Sequence, residues 1–173
     1  MITWLLRIVI GLVVLVAIVL IAGYSLPQNH TASRTAHFSQ PPEKVWAAMT
    51  DFAAFPSWRK DVQTVEVLPT VEGKRSWRES SSRGSRLTFV TEAWDPPTHM
   101  TARIADKDLP FGGSWDYTIS PNARGSTVTI TENGEVYNPI FRVVSRFMSN
   151  TATIDAYLSA LAAKLGDTYT PAG

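Results

Sequence analysis

The side chains able to do chemistry in this chain are few, and one carboxylate stands out among them. Val128, Ile130 and Glu132 share one face of a strand-like stretch, and Trp115, Tyr117 and Ile119 share one face of the stretch before it. Side chains alternate across a strand with a period of two. If both apolar faces point inward, Glu132 is a carboxylate in an apolar setting. Burial raises a carboxylate's pKa, and such a group can act as a general acid or base or orient a ligand hydroxyl. The other reading is structural: a Glu at a strand end near Gly134, paired with an arginine such as Arg103 or Arg78. Glu92 and Asp116 are lesser candidates, since alternation turns Asp116 away from Trp115 toward solvent. Acid–base catalysis needs a second convergent group. The partners on offer for Glu132 are Tyr137, Arg103 and Tyr117.

Other chemistries lack their residues. The chain has no cysteine, which removes disulfides, thiolate nucleophiles and Cys-ligated metals together. His30, His37 and His99 are not spaced as metal ligands, so no metal is expected, and they are placed at strand ends near solvent. There is no G-x-S-x-G, G-x-G-x-x-G or P-loop, so a nucleophile elbow, a dinucleotide and a nucleotide triphosphate have no support, and no cofactor is expected. Net charge is +1 over 173 residues, and the chain beyond the first 30 carries 15 basic and 15 acidic groups. A neutral surface of mixed sign gives no electrostatic reason to bind nucleic acid.

Positioning these residues requires a sheet and something to cover it. Arg34 to Phe38 reads as a first strand. Pro41-Pro42-Glu43 opens a helix, with proline in the first turn and an acid at the positive dipole end. Val45, Ala48, Met49 and Phe52 follow at helical spacing. Pro56 ends that pattern, with a short helical turn around Ser57–Lys60. Six more strands are predicted at Val62–Leu68, Arg75–Ser80, Arg86–Trp94, Met100–Ala105, Trp115–Ser120 and Thr127–Val136. Turn-like separators lie between them, including Phe111-Gly112-Gly113. Consecutive strands with short turns imply an antiparallel meander. A stripe from Ile140 through Val144, Phe147, Met148, Thr151, Ile154, Leu158 and Leu161 to Leu165 predicts one long helix over 139–165, with Gly166 as its C′ residue and Arg142 and Arg146 solvated off the stripe.

The N-terminal segment is of another kind. Ile8 to Gly23 is sixteen positions without a polar side chain, flanked by Trp4 and Tyr24. About 20 such residues span a hydrocarbon core of ~30 Å. Residues 1–26 are therefore expected as a membrane anchor contacting the bilayer through residues 4–26, followed by a linker at 27–33, a domain at 34–166 and a tail at 167–173. A cleaved signal peptide with a site near Gly23-Tyr24-Ser25 is the alternative, but its apolar region runs only ~7–15 residues. Arg7 on the N-terminal flank places the N-terminus in the cytoplasm and the domain outside the cytoplasmic membrane by the positive-inside rule.

The order of the domain's elements is α+β: a helix-grip fold, a seven-stranded curved antiparallel sheet wrapped around a long C-terminal helix, preceded by one transmembrane helix. The sequence resembles the polyketide cyclase/dehydrase-like branch of the START-related (SRPBCC) superfamily. The resemblance is carried by Pro42-x-x-x-Val45-Trp46, Asp51-Phe52-x-x-Phe55-Pro56-x-Trp58, Glu92-Ala93-Trp94-Asp95-Pro96-Pro97, Gly112-Gly113-x-Trp115-x-Tyr117, Gly125-x-Thr127-Val128-Thr129-Ile130-Thr131-Glu132 and Tyr157-Leu158-x-x-Leu161. It implies a deep cavity between sheet and helix that holds a hydrophobic small molecule or lipid. The lining expected on that basis is Trp58, Trp77, Phe89, Trp115, Tyr117, Ile130, Glu132, Phe147 and Met148. The resemblance does not choose between a carrier and a cyclase or dehydratase acting on an aromatic or polyketide-like substrate.

Overall fold

Alternation builds the sheet. In the computed structural model, which describes residues 2–171, seven strands form one antiparallel sheet in the order β1-β7-β6-β5-β4-β3-β2. The strands are β1 (Asn29–Phe38), β2 (Thr64–Val71), β3 (Lys74–Ser80), β4 (Arg86–Asp95), β5 (His99–Ile104), β6 (Phe111–Asn122) and β7 (Gly125–Val136). β2 to β7 follow as a meander, and β1 closes the sheet against β7. The helices are α1 (Ile2–Ser25), α2 (Pro42–Thr50), α3 (Pro139–Ser145) and α4 (Ala152–Leu165), with a 3-10 turn over Phe52–Ser57.

The core lies where α2 and α4 cover the concave face. Ile154, Leu158 and Leu161 fall at i, i+4 and i+7 on α4 and are fully buried with Val45, Met49, Ile119, Val128 and Ile130. Each such side chain contributes ~1.5–3 kcal/mol of burial. Gly166 ends α4 in the left-handed conformation (φ 79°), its N–H bonded to Ala162 and Ala163 carbonyls. An aromatic series runs down the inner face: Phe52 stacks on Trp77 at 3.8 Å, Trp77 on Phe89 at 5.4 Å, and Phe89 meets Trp115 at 5.9 Å.

Four expectations change. The long helix over 139–165 is two helices, because Ser149-Asn150-Thr151 interrupts it: Ser149 Oγ accepts from Thr151 N–H at 3.4 Å, a local bond that competes with helical ones. Residues 29–33 are strand rather than linker, pairing with Glu135 through Thr131 of β7, so only Leu26–Gln28 separates α1 from the sheet. Gly112 and Gly113 lie inside β6 rather than in a turn. A Cβ on Gly113 (φ 128°) would strike the Asn133 carbonyl, so the close approach of β6 to β7 is what needs glycine there. Arg142 is not solvated: its guanidinium donates to the carbonyls of Val136 (2.7 Å), Gly23 (3.3 Å) and Leu26 (3.5 Å).

Candidate functional site

The register of β6 and β7 decides which side chains meet. Trp115 pairs with Glu132, Tyr117 with Ile130 and Ile119 with Val128. All six point to the concave side, as strand alternation requires. There Trp115, Tyr117, Ile130 and Glu132 border a cavity of about 430 Å³ between the sheet, α3, the α3–α4 connection and α4, while Ile119 and Val128 are buried in the core below it. This volume lies within the range of ligand pockets, roughly 300–1,000 Å³. Trp77, Phe89, Ala102, Ile104, Phe111 and Val136 supply most of its apolar wall from the sheet, and Phe141, Met148 and Ile154 close it from the helical side.

Two hydrogen-bonded clusters centred on buried carboxylates, Glu132 and Glu79, interrupt that wall. At the first, Trp115 Nε1 donates to Glu132 Oε2 at 2.9 Å, and His30 Nε2 lies 3.5 Å from Glu132 Oε1. The Glu132 side chain is 12% exposed. Gly134 makes room for His30, since a Cβ there would collide with the imidazole. At the second, Glu79 Oε1 accepts from both Trp77 Nε1 (2.9 Å) and Arg59 Nη1 (3.0 Å), while Arg59 Nη2 donates to Asp61 at 2.7 Å. Burial opposes the Arg59 charge, but Glu79 and Asp61 outweigh it and raise its pKa further. The guanidinium also lies over the rings of Phe55 and Tyr157, at 5.0 and 5.4 Å.

Tyr117 and Tyr157 stand between these groups, rings 5.7 Å apart. Burial, reinforced for Tyr117 by Tyr157 and for both by Glu79, pushes their pKa values well above the ordinary tyrosine range despite Arg59. They are therefore neutral hydroxyls, and neither bonds another protein group among the described residues. Each is free to donate to, or accept from, a molecule in the cavity.

Seven residues expected in the lining are there: Trp77, Phe89, Trp115, Tyr117, Ile130, Glu132 and Met148. Two are not. Phe147 is 88% exposed, because the helix ends at Ser145 and the stripe that would have carried it inward is broken. Trp58 packs edge-on between Phe55 and Tyr157, behind the wall, with its indole N–H buried and unbonded. The arginines expected to pair with Glu132 are engaged elsewhere, Arg78 with Glu66 and Arg103 with Glu92 and Glu135. Glu79 shares the inward face of β3 with Trp77, a signal alternation could have supplied. Arg59, Tyr157 and His30 carried no such signal. His37 and His99 lie on the sheet, His99 with its Nε2 2.7 Å from Asp116.

No curated protein sequence matches this chain. Solved structures do. The Zhui aromatase/cyclase from Streptomyces sp. superposes with a TM-score of 0.67 at 14% identity, over 80% of this chain and 94% of that one. A START superfamily protein from Mycobacterium smegmatis gives 0.61 at 18% identity, over 79% and 97%. The di-domain ARO/CYC StfQ of the steffimycin biosynthetic pathway gives 0.65 at 9% identity over 80% of this chain, which spans only 51% of StfQ. At these identities the likeness establishes the helix-grip fold. Residues 29–166, from the first strand to the end of the last helix, match a family model, and the chain thus belongs to the family described as polyketide cyclase/dehydrase and lipid transport.

Proposed function

We propose that this chain is a membrane-tethered binding protein that holds a hydrophobic small molecule or lipid in its cavity. The observation that carries this reading is the cavity itself: about 430 Å³, walled by indole, phenyl and aliphatic side chains, with the Tyr117 and Tyr157 hydroxyls unengaged inside it. Such a site takes an apolar body and orients it by one or two polar atoms. The family's association with lipid transport supports the ligand class. The tether is supported by α1, which over Thr3–Ser25 is long and apolar enough to cross a membrane. With Arg7 on the cytoplasmic flank, the domain lies on the extracytoplasmic side. Mass spectrometry of the full-length protein, extracted in detergent and washed, tests the reading. A stoichiometric copurifying lipid or apolar metabolite is the expected result. An empty cavity, with no exchange of fluorescent fatty acid from phosphatidylcholine vesicles, would overturn it.

A second reading has its own observation. His30 and Glu132 lie 3.5 Å apart in the cavity wall, so two titratable groups converge there, as acid–base catalysis requires. Solved neighbours named aromatase/cyclase support such chemistry on the same fold. A cyclase or dehydratase would lose turnover in Glu132→Gln and His30→Gln alike while retaining its ligand. A carrier would keep its exchange rate in both variants.

A further inference from the structure

The outer face of α3 is apolar and nothing among the described residues covers it. Ile140, Val144, Phe147 and Met148 are 47%, 50%, 88% and 61% exposed. They recur at i, i+4, i+7 and i+8, along α3 and its continuing turn. The opposite side of the same segment faces inward, where Phe141 packs on Phe111 and Ser145 lines the cavity. Met148 does both: it borders the cavity and is open to the outside. The cavity therefore has an opening at this segment.

Where the segment sits is set by α1. Every residue from Thr3 to Ile18 is exposed, whereas Val19 and Leu20 are half-buried and Gly23 is buried. The element packed against α1 is α3. A Cβ on Gly23 would strike the Pro139 carbonyl, so glycine permits the contact. Arg142 locks it, donating to the carbonyl of Gly23 in the last turn of α1, where helix carbonyls lack intrahelical partners, and to that of Leu26 just beyond it. At ~1.5 Å per residue, Val19 lies about 9 Å along the axis from Ser25. A helix held beside Val19–Gly23 thus lies at the depth where interfacial amphipathic helices insert, roughly 5–10 Å into the headgroup and acyl boundary.

We propose that residues 140–148 form a lip inserted in the outer edge of the bilayer beside α1, and that the cavity exchanges its ligand with the acyl layer there. The occupant of the apolar face is phospholipid, because the face is continuous with the membrane-spanning helix and fixed to it. This inference rests on the tether proposed above. A ligand passing the lip at Met148 never crosses bulk water.

The chain has no cysteine, so single probes are simple to place. The full-length protein is reconstituted in phosphatidylcholine nanodiscs doped with phosphatidylcholine brominated near the headgroup end of its acyl chains, or deep in them. An environment-sensitive dye is attached in turn to Val13→Cys, Phe147→Cys and Arg124→Cys. Arg124 lies in the β6–β7 turn, at the end of β1 and β7 far from α1. The expected result is deep quenching at Val13→Cys, shallow quenching with a blue shift at Phe147→Cys, and neither at Arg124→Cys. Quenching at Val13→Cys without quenching at Phe147→Cys would overturn the lip and leave the tether standing. No quenching at either would overturn both. A Phe147→Cys dye shielded from aqueous iodide yet unquenched by bromine would show that protein, not lipid, covers the face, and would overturn the proposal. Val144→Cys repeats the measurement should Phe147→Cys fail to fold.

Discussion

Trp115 and Glu132 face one another across the β6–β7 pair, and the indole N–H closes on the carboxylate at 2.9 Å. The bond fixes a charge-bearing group inside an aromatic wall and sets the direction of its second oxygen, toward His30. Leaving a buried acceptor without its donor costs about 1–3 kcal/mol, more if it is charged. Trp115→Phe keeps a ring in the wall and deletes the donor. It is expected to lower stability by ~2 kcal/mol in urea titrations of the protein in detergent. Glu132→Gln, which can still accept from the indole, should cost less. Equal losses in the two variants would mean that the ring, not the bond, carries the effect.

Arg59 and Glu79 make the second test. Both side chains are close to nine-tenths buried, at 13% and 11% exposed, and Glu79 takes one bond from Arg59 and one from Trp77. Breaking a buried pair from one side strands the other charge and typically costs ~3–5 kcal/mol. Arg59→Met is expected to fall in that range by thermal or urea unfolding. Arg59→Lys should recover only part of it, since one ammonium cannot reproduce a fork that reaches Glu79 and Asp61 together. A fully restored Arg59→Lys would indicate that charge alone suffices.

How much of this could be read from sequence depends on how local the cause is. Strand alternation, which needs no knowledge of partners, puts Trp115 with Tyr117 and Ile130 with Glu132 on shared strand faces; that both faces point inward is supplied by the sheet. The burial of Ile154, Leu158 and Leu161 followed from helical spacing in the same way. The partner of Glu132 was not legible. His30 reaches it only because β1 starts at Asn29 and pairs with β7, and pairing is a long-range fact. The interruption at Ser149-Asn150-Thr151 was a local signal, three adjacent residues whose side chains compete for backbone bonds, outvoted by the apolar stripe on either side. The docking of α3 on α1 had no sequence signature, since it depends on a glycine and an arginine 119 positions apart.

Filling the cavity separates binding from folding. Leu87 lines it from β4 and is half-buried, with open volume beyond its side chain. Leu87→Trp places an indole in that volume. The expected outcome is a cooperatively folded protein, destabilised by no more than the ~1–3 kcal/mol typical of added core volume, that copurifies with at least about tenfold less ligand, equivalent to ~1.4 kcal/mol. Unchanged ligand content by mass spectrometry would place the binding site elsewhere.

His99 should respond to pH on the outer side of the sheet, away from the cavity. Its Nε2 is 2.7 Å from Asp116 and its Nδ1 3.3 Å from Asp95. The bond to Asp116 raises its pKa above the ordinary histidine value, against a smaller opposing effect of burial and with further help from Asp95. A group that binds its proton more tightly when folded adds stability that is complete below its unfolded pKa of about 6.5 and is lost as pH rises through the folded value. His99→Gln should therefore destabilise the protein more at pH 5.5 than at pH 8.5, by an amount that screening at this partly exposed site keeps small. In NMR titrations the His99 ring should protonate above pH 6.5 in the parent and closer to 6.5 in Asp116→Asn. A ring that titrates identically in both would sever the link between the Asp116 bond and the proton.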